Sequence, residues 1–224
     1  MGSLVNISAN LLILCCDTAL TTTIQTNIIN NLNNVITTLG GSTSKIVITL
    51  TVVTNDLSVN PASLYNSNYD AILYYTANGS ASPNATYLCN LFLNAGKGVV
   101  LGLYADCDDW NAMAGLNLII TNYGTQGAYS ANCDQTGLPV PMLYGVTLYN
   151  PSQVTNLFTP KNGASSAGIV GGTSPVPALT YLDTCGYRRV DLNLFPRDCL
   201  QATSANGSNR LILQSLLWAA NKIS

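Results

Sequence analysis

Short apolar runs that stop abruptly at polar turn residues are the feature that most constrains the fold of this chain. The first of them, Leu11–Cys16, has no polar interruption and ends at Asp17 and Thr18. Such a run is typical of a parallel strand that is buried on both faces. Helices must then cover both faces of the sheet, so this run already favours an α/β architecture.

The segment after this strand has the periodicity of a helix. Its apolar residues recur with a spacing near 3.6 until Gly40 and Gly41, which end the pattern. Asp17 and Thr18 precede the helix, and both residue types are favoured at N-caps. We therefore predict a helix that Asp17-Thr18 caps and the paired glycines terminate. Its apolar positions are Ile24, Ile28, Ile29, Leu32, Val35, Ile36 and Leu39.

The alternation of strand and helix continues after this helix. Three further runs rich in β-branched or aromatic residues predict strands: Lys45–Val53, Tyr69–Thr76 and Gly98–Tyr104. Before the last of them, Ser82 and Pro83 favour the start of a helix that runs to Ala95 and ends at Gly96. Strands that alternate with helices are joined by right-handed crossovers. We therefore predict a doubly wound, mostly parallel sheet with helices on both faces.

The rest of the chain divides into an irregular and a regular part. Residues from about 105 to 175 are rich in Gly, Asn and Pro and are expected to form a loop-rich insertion, with short strands at Leu116–Ile120 and Met142–Leu148. Ala178–Leu182 and Arg188–Phe195 then predict a hairpin-like, antiparallel pair of strands. Asn206–Asn221 predicts a final helix whose leucines face the sheet. No repeat or linker interrupts the chain, so we expect a single domain over residues 1–224.

The ionisable residues exclude several classes of function. The chain contains eight Lys and Arg residues and ten acidic residues, all of them Asp, and it has no His. A catalytic Ser-His-Asp triad, a Cys-His pair and imidazole metal ligands are therefore excluded. With a net charge of −2 and scattered basic residues, a nucleic-acid partner is not expected. No apolar run approaches the roughly 18 residues of a membrane span, and the first residues lack the basic start of a secretory signal.

Only 8% of the residues are charged, so the polar surface must be built from neutral side chains. A surface of this kind lacks the self-repulsion that keeps molecules apart, and it favours association into a larger body. The composition therefore predicts self-association, or assembly with other subunits, in an extracellular, cell-surface or virion setting.

Several segments together carry a resemblance to a known superfamily. They are Tyr69–Leu73 (YDAIL), Leu93–Leu103 (LNAGKGVVLGL), Arg189–Pro196 (RVDLNLFP), Asn206-Gly207 and Leu216–Ala220 (LLWAA). In order and spacing the chain resembles the class I glutamine amidotransferase-like superfamily over residues 1–110 and 185–224, nearest to its trehalose-utilisation-like, secreted bacterial branch. The resemblance implies a flavodoxin-like arrangement of the sheet.

The resemblance also indicates where a catalytic residue would lie. Enzymes of the superfamily place a nucleophilic Cys in a turn of the form Leu-Gly-x-Cys-x-Gly and complete the site with His and Glu. Carried over, Leu101-Gly102 matches, Tyr104 stands at the Cys position and Asp106 replaces the second Gly. A tyrosine without a base is a weak nucleophile, and the turn normally needs glycine. The resemblance therefore implies a catalytically degenerate member that is not an enzyme.

Aspartates follow two of the predicted parallel strands and define a candidate ligand edge. They are Asp17, Asp106, Asp108 and Asp109. Ligands of doubly wound sheets bind beyond the carboxyl ends of the strands. Carboxylates there suit Ca²⁺, or the acid-base pair of a carbohydrate-active enzyme. The alternative is that the aspartates cap helix N-termini, and their positions directly after strands favour this alternative. No other cofactor is expected.

Cysteines and sequons give a second set of candidate sites. Cys107 with Cys133, and Cys185 with Cys199, are candidate disulfides, whereas Cys15 and Cys89 lie in apolar patterns that predict buried thiols. The sequons place candidate glycosylation sites at Asn6, Asn78, Asn84 and Asn206.

Aromatic and basic side chains suggest two further hypotheses. Carbohydrate could stack on tyrosines and tryptophans in or near loops, namely Tyr65, Tyr69, Tyr74, Tyr75, Trp110, Tyr123 and Tyr129. Arg188, Arg189, Arg197 and Asp198 form a local concentration of charge. It either clamps a phosphate or carboxylate or, as we expect, is solvated at the end of a strand or forms an Arg-Asp pair across the loop.

Overall fold

The structure is a computed structural model that describes most of the regular part of the chain. The described residues are 3–54, 58–77, 83–102, 125–128, 140–146, 154–156, 160, 163–170, 176–201, 203 and 207–224. The strands are β1 (Ala9–Cys16), β2 (Ile46–Val53), β3 (Ala71–Thr76), β4 (Gly98–Leu101), β5 (Thr125–Ala128), β6 (Val154–Asn156), β7 (Ser165–Val170), β8 (Val176–Asp183) and β9 (Arg188–Leu192). The helices are α1 (Thr22–Thr38), α2 (Pro61–Leu64), α3 (Pro83–Asn94), α4 (Pro196–Gln201) and α5 (Ser208–Ala219).

A seven-stranded sheet in the order β2-β1-β3-β4-β9-β8-β7 forms the centre of the fold. Strands β2, β1, β3, β4 and β9 are parallel, and β8 runs antiparallel to β9 and β7. Strands β5 and β6 form a separate antiparallel pair. The predicted doubly wound, mostly parallel α/β fold is confirmed, as is the antiparallel pairing of β8 with β9.

Strand β1, next to the edge strand β2, is buried on both faces, as its unbroken apolar run predicts. Leu11, Ile13 and Cys15 belong to the main hydrophobic core, which α1, α4 and α5 cover. Leu12 and Leu14 belong to a second core on the opposite face, beneath α3. The side-chain alternation of a strand therefore divides this run between two helical layers.

Helix α1 begins later than the sequence indicated, so the predicted cap was wrong. Its N-cap is Thr21, whose hydroxyl accepts a hydrogen bond from the amide of Ile24 at 3.4 Å. Asp17 instead closes a turn before the helix, where its carboxylate accepts from the amide of Ala19 at 2.9 Å. The two residue types are both good caps, and the sequence pattern does not distinguish between them.

The Met142–Leu148 strand prediction was also wrong over residues 142–146, the part of it that the structure describes, and the helix that packs against this segment explains why. Residues Pro141–Leu143 form a short 3-10 turn. The side-chain amide of Gln214, on α5, donates to the carbonyl oxygens of Met142 at 2.7 Å and of Tyr144 at 3.1 Å. These carbonyls are therefore bound to a side chain rather than to a neighbouring strand. The predicted strand at Leu116–Ile120 lies outside the described residues.

Helix α5 is more deeply buried than its sequence periodicity indicated. All of its residues from Ser208 to Ala219 are buried, because α1, α4 and the 3-10 turn cover the sides that do not face the sheet. At its carboxyl end it approaches β4 so closely that a Cβ atom on Gly98 would lie 2.4 Å from the backbone of Ala219. The glycine at the start of β4 is thus required by helix-sheet contact.

A buried ion pair lies on the α3 side of β9. Arg189 and Asp191 are two residues apart on one strand, so their side chains share a face. The guanidinium forms two bonds to the carboxylate, at 2.7 and 2.8 Å, and both side chains are at most 1% exposed. Neither residue can therefore serve as an exposed anion site, and this pair lies within one strand, whereas the sequence predicted a pair across the loop.

We predict that Asp191→Ala lowers the free energy of unfolding by about 3–5 kcal/mol, because it leaves the guanidinium of Arg189 buried without its partner. Urea unfolding at pH 7 measures this. Asp183→Ala is the matched control: it breaks the pair of Arg188 with Asp183, whose side chain is 48% exposed, and should cost at most about 1 kcal/mol. If both variants lose the same free energy of unfolding, the Arg189–Asp191 pair is not the buried, stabilising contact described here.

Candidate functional site: the carboxyl edge of the sheet

The carboxyl ends of β1, β3 and β4 meet at one edge, where ligands of doubly wound sheets bind. Cys16 pairs with Thr76, and the amide of Gly102 donates to the carbonyl of Tyr74 at 3.0 Å. We use the name carboxyl edge for the group formed here by Asp17, Tyr75, Gly102, Phe195 and Arg197. It contains the Leu-Gly half of the motif on which the amidotransferase resemblance rests.

Asp17 lies at this edge, as the sequence predicted, but its carboxylate is already bound. The residue is 2% exposed. One oxygen accepts from the amide of Ala19, and the other lies 3.3 Å from a guanidinium nitrogen of Arg197. A cation at this point would have to displace the guanidinium. Asp106, Asp108 and Asp109, with Tyr104, lie outside the described residues, so their place in a ligand site remains a prediction.

Arg197 is held between a carboxylate and an aromatic ring. It belongs to α4, and its guanidinium lies 5.0 Å from the ring centroid of Phe195 while it bonds to Asp17. A cation over a ring face is attracted by the π electrons, in addition to the ion pair. With its charge matched by a buried carboxylate, Arg197 is part of a neutral cluster rather than an open anion clamp.

Tyr75 and Cys15 are neighbours across β3 and β1, beneath this ion pair. The ring of Tyr75 packs edge-to-face against Phe195, with centroids 5.3 Å apart. Burial raises the pKa of the Tyr75 hydroxyl and of the Cys15 thiol well above their ordinary values, and the contact with Cys15 raises the pKa of Tyr75 further. Both therefore stay protonated at neutral pH, and neither is activated as a nucleophile or base.

Gly102 has a packing role at the carboxyl edge. A Cβ atom there would lie 2.4 Å from the ring of Pro196 and 2.9 Å from Cβ of Tyr75. The start of α4 thus occupies the space directly above the end of β4. This close contact accounts for the glycine of the Leu-Gly pair without a catalytic requirement.

Sequence reasoning missed the pairing that organises this edge. Asp17 and Arg197 are 180 residues apart in the chain, and neither local pattern identifies the other as its partner. The only available signal was that Arg197 follows a predicted strand whose carboxyl end lies at the same edge of the sheet. Phe195 was not singled out at all.

The predicted Cys185-Cys199 disulfide is not formed. Cys185 is an exposed free thiol in the turn before β9, whereas Cys199 is buried in α4, after β9. The five residues of β9 separate the two by on the order of 16 Å, and a disulfide requires Cα atoms within about 7 Å. Cys15 and Cys89 are buried, as predicted. Cys107 and Cys133 lie outside the described residues.

Of the remaining candidate site residues, some are described by the structure and others are not. Asn6 and Asn84 are exposed, and Asn78 and Asn206 lie outside the described part. Tyr65 and Tyr69 pack against Phe92, with ring centroids 5.5 and 6.5 Å apart, and both are half-buried. Tyr74 is buried, and Trp110, Tyr123 and Tyr129 are outside the described residues.

Two properties of the described residues bear on the class of site. Among them, no group of three or more His, Cys, Asp or Glu side chains is placed to hold a metal ion. None of the described helices combines the length and the apolar character that a membrane crossing requires.

The reactivity of the cysteines tests the burial of the thiols described above. We expect Cys185 to be alkylated rapidly by iodoacetamide at pH 8, and Cys15 and Cys89 to react only after unfolding. Alkylation requires the thiolate, and burial raises the pKa of Cys89 to about 12 and that of Cys15 in the same direction. Raising the pH from 7 to 9 should therefore accelerate only exposed thiols.

Peptide mapping by mass spectrometry measures the alkylation of each cysteine, with Cys185→Ser as the control. Rapid modification of Cys15 in the folded protein would show that the carboxyl edge is open to solvent and would contradict the packing described above.

Comparison with protein-family models and with curated protein sequences gives no match. Solved structures do match. A thua-like protein from Parabacteroides merdae covers 97% of this chain and 92% of its own, with a TM-score of 0.56 and 12% identity. A thua-like protein from Bacteroides uniformis covers 96% and 92%, with a TM-score of 0.51 and 12% identity.

A cytoplasmic protein from Salmonella typhimurium covers 93% of this chain and 98% of its own, with a TM-score of 0.57 and 10% identity. At these identities the likeness concerns the fold alone. The chain is therefore similar in fold to the thua-like proteins, in agreement with the trehalose-utilisation-like, amidotransferase-like architecture that its sequence resembles.

Proposed function

We propose that this chain is a non-catalytic structural or interaction protein, built on a degenerate amidotransferase-like fold and used as a subunit of an extracellular, surface or virion assembly. The observation that carries the proposal is the state of the carboxyl edge. Asp17 and Arg197 neutralise each other there, and the two groups beneath them, Tyr75 and Cys15, stay protonated.

The composition supports the same interpretation of the site. The chain contains no His and no Glu, the residues that complete the catalytic site in enzymes that its sequence resembles. General acid-base chemistry at neutral pH needs a group whose pKa lies near the working pH. A buried phenol and a buried thiol with raised pKa values do not meet this need.

The distribution of charge supports assembly. Among the described residues, four ion pairs join charges within the chain: Arg188 with Asp183, Lys222 with Asp70, Arg189 with Asp191 and Arg197 with Asp17. Lys97 donates to the backbone carbonyls of Ser67 and Tyr69. With a net charge of only −2, the long-range repulsion between copies is weak, and association requires little charge neutralisation.

The setting of the assembly is part of the proposal. Exposed Asn6 and Asn84 both begin sequons, and the fold is shared with bacterial thua-like proteins. We place the chain in the secreted branch that its sequence resembles. The intact mass of material from the natural source tests this: glycan on Asn6 or Asn84 supports an exported chain, and unmodified sequons on a chain from the cytoplasm contradict it.

The oligomeric state tests the assembly role. We expect sedimentation velocity on the native protein to show species well above the 23.6 kDa of a single chain, and electron microscopy to show regular particles or arrays. The fraction of assembled protein should change little between low and high salt, because few charges are left to be screened. A protein that stays monomeric at high concentration, without a partner in its source, contradicts the proposal.

Calcium tests the alternative in which the aspartates of the carboxyl edge form a cation-dependent, carbohydrate-binding or hydrolytic site. Because Arg197 already binds Asp17, we expect the melting temperature to be the same in calcium and in EDTA. Asp17→Asn is the matched variant. A calcium-dependent rise in melting temperature that this variant abolishes would contradict our proposal and support the alternative.

A further inference from the structure

Within the described residues, strand β2 lies at one edge of the sheet, and half of its peptide groups point away from β1. At the two ends of the ladder, the amide of Ala9 donates to Lys45 and that of Asp17 donates to Val53. The peptide groups that bond to β1 therefore belong to the odd-numbered residues of β2. Those of Ile48, Leu50 and Val52 point outward, and within the described residues β2 has a strand neighbour only on the β1 side.

This edge lacks the features that usually block pairing with another chain. Ile46–Val53 contains no charged residue and no proline, Val47 is 43% exposed, and the residues from Ile48 to Val53 are half-buried. Natural sheets protect exposed edges with charges, prolines, bulges or short strands. β2 is eight residues long and has none of these within its bounds.

The opposite edge of the sheet is different. Strand β7 contains Gly168 with a φ of +66°, a left-handed conformation that interrupts the regular pleat. Its partner β8 carries Pro177, which has no amide to donate. Of the two edges, β2 is thus the one with regular, unblocked geometry.

The residue types along β2 read almost the same in both directions about Leu50. Thr49 and Thr51 flank it, and the β-branched Ile48 and Val52 follow on either side. An antiparallel pair of identical strands related by a two-fold axis places such symmetric positions opposite each other. The symmetry of this pattern favours a second copy of the same strand as the partner.

On the basis of the assembly role proposed above, we infer that β2 pairs antiparallel with β2 of a second copy, about a two-fold axis through Leu50. Leu50 then lies opposite its own copy, and Ile48 lies opposite Val52. These are the residues with outward peptide groups, so each opposed pair exchanges both of its hydrogen bonds. The sheets of the two copies become one continuous sheet.

The side chains also suit this arrangement. Ile48, Leu50 and Val52 pack against the main core while still partly exposed, and pairing brings them against the same residues of the other copy. On the opposite face, Thr49 meets Thr51. The nearest basic residue, Lys45, precedes the strand, so the two copies of Lys45 lie at opposite ends of the paired strands. The pairing therefore does not bring these like charges together.

Charge substitution on the threonine face tests the inference. Thr49→Lys/Thr51→Lys and Thr49→Asp/Thr51→Asp each place like charges opposite each other in the pair. We expect either variant alone to weaken association by about tenfold or more, and an equimolar mixture of the two to restore it. Sedimentation velocity measures the association. Tyr87→Lys, at a residue of α3 that is 58% exposed, is the control for added charge and should leave association unchanged.

Hydrogen exchange supplies a second measurement and a control for folding. In assembled wild-type protein, the amides of Leu50 and Val52 should exchange at least tenfold more slowly than in dilute monomer. The amides of Thr49 and Thr51 bond to β1 and should be protected in both states. Loss of protection throughout the β1–β2 ladder of the lysine variant would show that the variant has unfolded. The concentration dependence of exchange at Leu50 and Val52 in the wild type then decides whether β2 pairs with a second copy.

The outcomes separate the two proposals. Assembly that withstands both charge variants, with Leu50 exchanging equally fast at all concentrations, overturns the β2 pairing and leaves the assembly role standing. A wild-type protein that is monomeric throughout overturns both.

Discussion

The burial of β1 on both faces is the constraint on which the rest of the structure depends. Because Leu11–Cys16 is apolar on both faces, the strand requires one helical layer on each side of the sheet. Its neighbours β2 and β3 must then run parallel to it, because helices provide the connections. Parallel strands bring their carboxyl ends to one edge, and this is how Cys15, Asp17 and Tyr75 come together.

The parts of the fold that could be predicted from the sequence are those set by local patterns. The apolar run of β1, the period of α1 and the β-branched residues of β2 each identify an element from within its own residues. The N-cap of α1 could not be decided this way, because Asp17 and Thr21 are both acceptable caps and the difference lies in a contact with α4. The pairing of Asp17 with Arg197 likewise depends on how the chain returns to the same edge.

Packing also explains why two further sequence predictions failed. The 3-10 turn at Pro141–Leu143 forms because Gln214 binds the nearby carbonyls, a contact made by a residue on another element. The Cys185-Cys199 pair was compatible with the sequence, but β9 holds the two residues at opposite ends of one strand. An extended strand of five residues is on the order of 16 Å long, so residues beyond its two ends are too far apart for a disulfide. Such errors are those of tertiary arrangement rather than of local propensity.

The scarcity of charge has opposite effects at two edges of the same sheet. At the carboxyl edge, the two described charges, Asp17 and Arg197, form an ion pair with each other, and we connect this neutralisation with the non-catalytic role proposed above. At the β2 edge, the absence of charge leaves nothing to repel another strand, since natural sheets use lysine and other charged residues for this purpose. In a chain with few charges, those that form ion pairs at the carboxyl edge are not available to protect an edge strand from pairing. The features that favour a non-catalytic role at one edge therefore favour association at the other.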